Sequence, residues 1–317
     1  MISKFLVFIF LIYGMLLVGY LTRRGGWVGD HMSASIMRKT IIFIEPIIIV
    51  LTFWAMQIAD TRLLALPLAA ALLSSLNLIP ARIFSEFHRH APDERGAYLG
   101  GSMFSNVGTT LGGFICFLLL GEVGLGLSII YTVYFVPFFF TIGFYVARHY
   151  SGNAPQTLGE SLKEFLTDPV RFMPNIALVI GLALNFSGRP RPEPLGSLNK
   201  TLVFLPVTFY SFSIGLTMRF RKVREYFPEC VSMSLIKFLI SPAIGIGLAY
   251  LLGLPSFMDG LPLKVVFIES AMPAAIFSLV LSRLFNLNQD LANSCWVFTT
   301  LAVLPAMPLI YMIVNLL

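Results

Sequence analysis

Apolar residues fall into ten blocks of roughly 20, each long enough to cross the hydrocarbon core of a bilayer as a helix. The blocks run at about 4–21, 37–58, 63–84, 97–120, 124–147, 169–187, 199–218, 230–252, 262–285 and 291–315. Two carry a pattern that a continuous helix tolerates poorly. The fourth contains Gly100-Gly101-Ser102-Met103-Phe104-Ser105-Asn106-Val107-Gly108-Thr109-Thr110-Leu111-Gly112-Gly113. Its glycines each cost a helix about 1 kcal/mol relative to Ala, and its Ser, Thr and Asn side chains compete for backbone hydrogen bonds. The ninth contains Glu269-Ser270-Ala271-Met272-Pro273-Ala274-Ala275. In hydrocarbon, non-helical backbone survives only where protein or a water-filled cavity satisfies it. Both segments are therefore expected to break.

The loops orient the blocks. Fifteen Lys and Arg residues lie after spans 1, 3, 5, 7 and 9, and six lie on the opposite side. The positive-inside rule puts the fifteen in the cytoplasm and both termini outside. The run Phe5 to Leu21 has no small-residue cleavage site and precedes Arg23-Arg24, so it reads as a retained span rather than a signal peptide. A polar linker, His149 to Asp168, divides the spans five and five. An odd repeat inserts its second copy upside down, so the expected layout is two inverted halves, 1–150 and 165–317. The interrupted spans are then the fourth of each half, and matched broken helices in inverted halves point to a transporter binding site near the midplane.

Composition agrees. Hydrophobic residues make up 57% and charged ones 12%, against about 25% charged in soluble domains. The net charge of +6 reflects topology-setting loops rather than a nucleic-acid partner. Cys116, Cys230 and Cys295 are scattered, with neither a disulfide framework nor a zinc spacing. The four histidines fall in predicted loops, and His88-Arg89-His90 reads as a solvated basic turn. No metal or other cofactor is implied beyond Na⁺ or H⁺ as a coupling ion.

Charged groups deep in a membrane need a reason. Glu269 opens the second break, where it can take a proton or coordinate sodium with carbonyls freed by Pro273; its structural alternative is a carboxylate bonded to a helix end. Lys237 can pair with Glu269, attract an anion, or snorkel to the interface. Glu45-Pro46 reads as a proline-kinked helix with a locally satisfied Glu. Asn106, with donor and acceptor both, joins Ser105, Thr109 and Thr110 in a polar cluster. A helix restarting after such a break points free N–H groups at a carboxylate; the structural alternative is small residues allowing close helix approach. Ser128 and Thr132 can add hydroxyl ligands, or simply pack. An intramembrane enzyme would need a nucleophile with its base or metal ligands at depth, and neither H-E-x-x-H nor G-x-S-x-G occurs. An anion channel remains the alternative of another class.

At the breaks the sequence resembles the auxin efflux carrier family of permeases, which includes prokaryotic malonate and malate transporters. The resemblance rests on Asn106-Val107-Gly108, Gly112-Gly113, Gly121-Glu122-Val123-Gly124-Leu125 and Glu269 to Ala275. Asp168-Pro169, Ser213-Ile214-Gly215-Leu216, Lys237 with Pro242, Leu291-Ala292-Asn293-Ser294, Thr299-Thr300 and Pro305 extend it over the whole chain. It implies an all-α polytopic membrane protein of ten transmembrane helices in two inverted five-helix repeats, with crossed, broken helices 4 and 9. Helices 4–58 and 169–218 would form a dimerising scaffold, and helices 63–147 and 230–315 a transport domain. Ser105, Asn106, Gly108, Thr109, Pro273 and Ala274 would bind a small organic anion. Glu269, Ser128 and Thr132 would serve ion coupling, with Lys237 a charge partner. The expected setting is the plasma membrane, or the inner membrane of a Gram-negative cell. The sequence departs from the family by lacking a proline after the span 4 glycines and by an extra residue before Gly121.

Ser105-Asn106, Ile268-Glu269 and the spacing from Leu127-Ser128 to Thr132 are also similar to the bile acid:sodium symporters. Pro273 replaces the Gln expected there, which removes one sodium ligand. A sodium-coupled symporter is thus the alternative to a proton-coupled one.

Overall fold

The computed structural model describes residues 6–28, 30–56, 60–151, 169–220 and 222–317. Lys4, Lys163, Arg221, Asp168 and the linker from Gly152 onward lie outside the described residues. The described chain is helical: α1 Leu6–Arg24, α2 Asp30–Lys39, α3 Glu45–Ala55, α4 Thr61–Phe87, α5 Pro92–Met103, α6 Leu111–Tyr150, α7 Pro169–Phe186, α8 Glu193–Thr217, α9 Phe227–Leu251, α10 Leu261–Ser270, α11 Ile276–Leu284 and α12 Gln289–Leu316. Six of these, α1, α4, α6, α8, α9 and α12, are long and apolar enough to cross a membrane. No strand occurs among the described residues; one isolated antiparallel bridge does, between Ser105 and Ala274.

Local chemistry explains the irregularities. Pro46 and Pro242 each lack an N–H and wedge a ring against the preceding turn, and each follows a stretch of wider π-helix, Thr40–Ile44 and Ile236–Ile240. Gly121 adopts φ 76°, ψ −162° and cuts α6 into two helices, a conformation open chiefly to glycine. His31 and His149, expected in loops, lie within α2 and α6.

The chain divides into two compact units: Met1–Asp60 with Thr109–Ile129 and Leu162–Met218, and Thr61–Gly108 with Ile130–Ser161 and Arg219–Leu317. The stretch Thr109–Ile129 packs within the first unit.

In the first unit, α1 packs on α8 and α3 on α7. A Cβ on Gly19 would lie 2.1 Å from the Phe212 carbonyl oxygen, and one on Gly215 would lie 2.2 Å from that of Leu16. Two glycines thus let α1 and α8 touch backbone to backbone, as small residues do between membrane helices. The proline-rich turn before α8 is fastened by Arg191. Its guanidinium pairs with Glu122, Nη2 reaching Oε2 at 2.9 Å, and Nη1 donates to the Leu51 carbonyl at 2.7 Å. Glu45 is buried beside the start of α3 and accepts from Thr109 Oγ1 (2.6 Å) and Tyr210 OH (2.7 Å). Both partners lie on other segments, so the expected local satisfaction gives way to long-range bonds.

In the second unit, α9 packs against α10 and α12, and α5 against α6, α11, α12 and α4. The turn after α4 is packed rather than solvated. His90 is buried, its Nδ1 within 3.1 Å of Ser85 Oγ, and its ring stacks on His88 and meets Tyr98 edge-on. Tyr98 and His88 both reach Ser232 Oγ, at 2.7 and 3.0 Å. Among the described residues no group of three or more His, Cys, Asp or Glu could hold a metal.

Candidate functional site

Both breaks form in the second unit, and each has a sequence cause. Helix α5 starts with Pro92 at its first turn and Glu94 accepting from the Ala91 N–H at 3.1 Å. It stops at Met103, after Gly100, Gly101 and Ser102. Phe104 is extended (φ −99°, ψ 129°) and Gly108 turns left-handed at φ 75°, before α6 begins at Leu111. No proline is needed: glycine supplies the left-handed turn at no steric cost. Space requires it too, because a Cβ on Gly108 would lie 2.6 Å from Thr132 Oγ1. Helix α10 stops at Ser270 because Pro273 cannot donate to a continuing helix and disfavours helical backbone at Met272.

The exposed backbone of each break is satisfied by the other. Asn106 N–H donates to the Pro273 carbonyl at 2.9 Å, and Ala275 N–H donates to the Phe104 carbonyl at 3.0 Å. Between them lies the Ser105–Ala274 bridge. Ala274 N–H donates to Thr299 Oγ1 of α12 at 3.3 Å. The two interruptions thus form a miniature sheet inside otherwise apolar helices, and Ala274 and Ala275 are buried to 0% and 3% exposure. This is how irregular backbone at membrane depth avoids a penalty of several kcal/mol per unpaired group.

Three ionic or polar side chains surround the bridge. Asn106 is buried at the junction. Glu269 is wholly buried in the last turn of α10. Lys237, in the π-helical turn of α9, has 0% exposure. Its Nζ donates to the carbonyls of Ser102 (2.7 Å) and Phe104 (3.0 Å) and to Ser105 Oγ (3.0 Å). Buried at this depth, it does not snorkel to the interface. The ammonium sits instead at the C-terminal end of α5, where the helix dipole favours a cation.

The residues singled out from sequence divide between the units. Ser105, Asn106, Gly108, Pro273, Ala274, Glu269, Lys237 and Thr132 belong to the second. Thr109 and Ser128 belong to the first, Thr109 bonded to Glu45 and Ser128 wholly buried in α6. Sequence reasoning missed Thr299, which ties the bridge to α12, and the carbonyls of Ser102 and Phe104. A hydroxyl in an apolar span was the available sign for Thr299. Carbonyls leave none.

A family model described as membrane transport protein matches residues 2–311. The chain belongs to this family, that of the auxin efflux carrier permeases. It is 25% identical over 302 residues to an uncharacterized transporter of Methanothermobacter thermautotrophicus, covering 93% of each chain. It is 27% identical over 299 residues to an uncharacterized transporter of Methanocaldococcus jannaschii, covering 92% of each. This family member is accordingly a multi-pass membrane transport protein.

Proposed function

We propose that the protein is a secondary transporter that carries small organic anions, mono- or dicarboxylates, across the cell membrane by elevator-type alternating access. The observation that carries the proposal is the pairing of the two breaks through Asn106 N–H and the Pro273 carbonyl. A transporter for a charged solute needs polar groups at membrane depth whose arrangement is fixed before the solute arrives. Paired breaks supply such groups without leaving backbone unsatisfied.

In this reading each interrupted pair counts as one span, giving ten in two inverted halves, 1–150 and 165–317, with both termini outside. Helices 4–58 and 169–218 form the scaffold of a homodimer, and helices 63–147 and 230–315 move, apart from Thr109–Ile129, which packs with the scaffold segments. The carboxylate meets the Asn106 amide, Ser105 and the first turn of α11 after Ala274, where N–H groups and a positive dipole end favour an anion. Thr132, whose side chain faces Gly108, lies on the ion path. Glu269 ends a helix whose C-terminal partial charge disfavours a carboxylate, so that position suits a group that takes the coupling proton.

A melting-temperature screen of the purified protein against mono- and dicarboxylates tests the solute class. A ligand at about 100 times its Kd stabilises the folded state by about 2.7 kcal/mol. A subset of carboxylates is expected to raise the melting temperature of wild type and to lose that effect in Asn106→Ala. No response to any carboxylate would sink the anion reading.

A further inference from the structure

We infer that Lys237 is a tethered cation: its ammonium permanently fills a monovalent-cation site formed by the Ser102 and Phe104 carbonyls and Ser105 Oγ. The inference rests on the transporter reading above and deepens it, because it assigns the charge at the first break to the chain itself rather than to an ion drawn from solution.

The site has the makings of an ion cage. Its acceptors are two main-chain carbonyls and a hydroxyl, the oxygen types that hold hard cations and that replace a hydration shell in cation-selective filters. They converge on one point at 2.7, 3.0 and 3.0 Å. Two of the three exist as free acceptors only because α5 stops at Met103. The end of a helix leaves its last carbonyls without intrahelical partners and gathers negative partial charge. Water would ordinarily answer both demands, but Lys237 is at 0% exposure.

A lysine has three donors and no acceptor, so this cage matches one ammonium without remainder. The three acceptors are neutral oxygens at a helix end, so that end draws the charge. The π-helical turn Ile236–Ile240, ahead of Pro242, carries Lys237, and such turns recur at functional sites. The Phe104 carbonyl is shared: it takes Nζ of Lys237 and the Ala275 N–H of the opposite break. The cation therefore acts on the carboxylate site through the backbone pairing and is a positioning residue. A protein that brings its own cation to this point has no place there for sodium.

The test is chemical rescue. Lys237→Ala empties both stem and ammonium, taking their cationic donor from the Ser102 carbonyl and Ser105 Oγ and leaving the Phe104 carbonyl with the Ala275 N–H alone, and is expected to lower the melting temperature by about 5–10 °C. Millimolar n-butylammonium, which replaces the whole side chain, is expected to restore most of that loss with saturation, and methylammonium or ammonium part of it. Tetramethylammonium and uncharged n-butanol are expected to restore none. Wild type should respond to none of them. Lys237→Met refills the stem without the charge and is expected to stay below wild type whatever is added.

Rescue by n-butanol as good as by n-butylammonium, or no rescue by any amine, would overturn the assignment. If Lys237→Ala does not accumulate, a Lys237→Met protein as stable as wild type overturns it equally. The titration needs no transported solute, so it fails separately from the carboxylate reading. In proteoliposomes, carboxylate uptake by wild type should be the same in sodium and choline buffers. A sodium requirement that Lys237→Ala abolishes and n-butylammonium restores would contradict the tethered cation, whereas no uptake in either buffer contradicts the solute class.

Discussion

Asn106 and Pro273, 167 positions apart in the chain, are joined by one main-chain hydrogen bond of 2.9 Å. Neither residue is helical, and each gives the other's freed backbone group a partner. Pro273 has no N–H to give, but its carbonyl, released from α10, takes the N–H that Asn106 cannot place within α5. The bond makes two local failures of helix formation into one shared structure.

Gly108 is expected to tolerate no side chain. Gly108→Ala meets Thr132 Oγ1 at 2.6 Å and forces a left-handed residue, which costs about 1–2 kcal/mol in backbone alone. Thr132→Ala in the same protein removes the nearest clashing atoms but not the backbone cost. The double variant should therefore recover part of the lost melting temperature and not all of it. Full recovery would mean the φ of 75° is immaterial.

Glu45 with Tyr210 is a buried carboxylate held by hydroxyls. Tyr210→Phe removes one donor and is expected to cost about 1.5–3 kcal/mol, the usual worth of a bond to a charged group. Glu45→Gln keeps an acceptor for both hydroxyls and should cost less than Glu45→Ala, which strands them. Chemical denaturation of the purified variants checks the order.

The backbone contact of α1 with α8 is expected to be the least forgiving helix contact of the first unit. Gly19→Ala puts a methyl 2.1 Å from a carbonyl oxygen, which no rotamer can relieve. Loss of folded protein, by size-exclusion profile in detergent, should exceed that for Gly14→Ala, where the nearest atom is a Phe10 ring carbon at 3.7 Å.

His90 should make the protein acid-sensitive. Burial, and next His88 beside it, push its imidazole down from 6.5 to about 4; its side chain is 3% exposed. Between those values the unfolded chain binds a proton that the folded one refuses, so stability falls as pH drops. The contribution is complete above about pH 6.5 and gone below about 4. His90→Gln should flatten the difference in melting temperature between pH 7 and pH 4 relative to wild type. An identical pH profile would contradict it.

Much of this was legible in the sequence, for stated reasons. Glycine and proline write their effects locally, so the breaks at Gly100–Gly113 and Glu269–Ala275 could be placed to within a few residues. What resisted were effects carried by backbone or by distant partners. Lys237 could be seen to be deep, but its acceptors are carbonyls, and any residue has a carbonyl. The missing proline left the first break open to doubt, because a left-handed glycine leaves no more trace than a packing one. Arg191 is fastened to Glu122, 69 positions away, and no local pattern marks that pairing. His90 was misread as solvated because nothing in His88-Arg89-His90 announces the Tyr98 ring that covers it.

The central claim is that the paired breaks form the carboxylate site, and uptake by the purified protein in liposomes measures it most directly. Wild type should accumulate labelled mono- or dicarboxylate. Asn106→Ala and Pro273→Ala, provided each remains folded by melting temperature, should each lose at least tenfold in uptake, about 1.4 kcal/mol. If both variants keep wild-type flux and affinity, the site lies elsewhere.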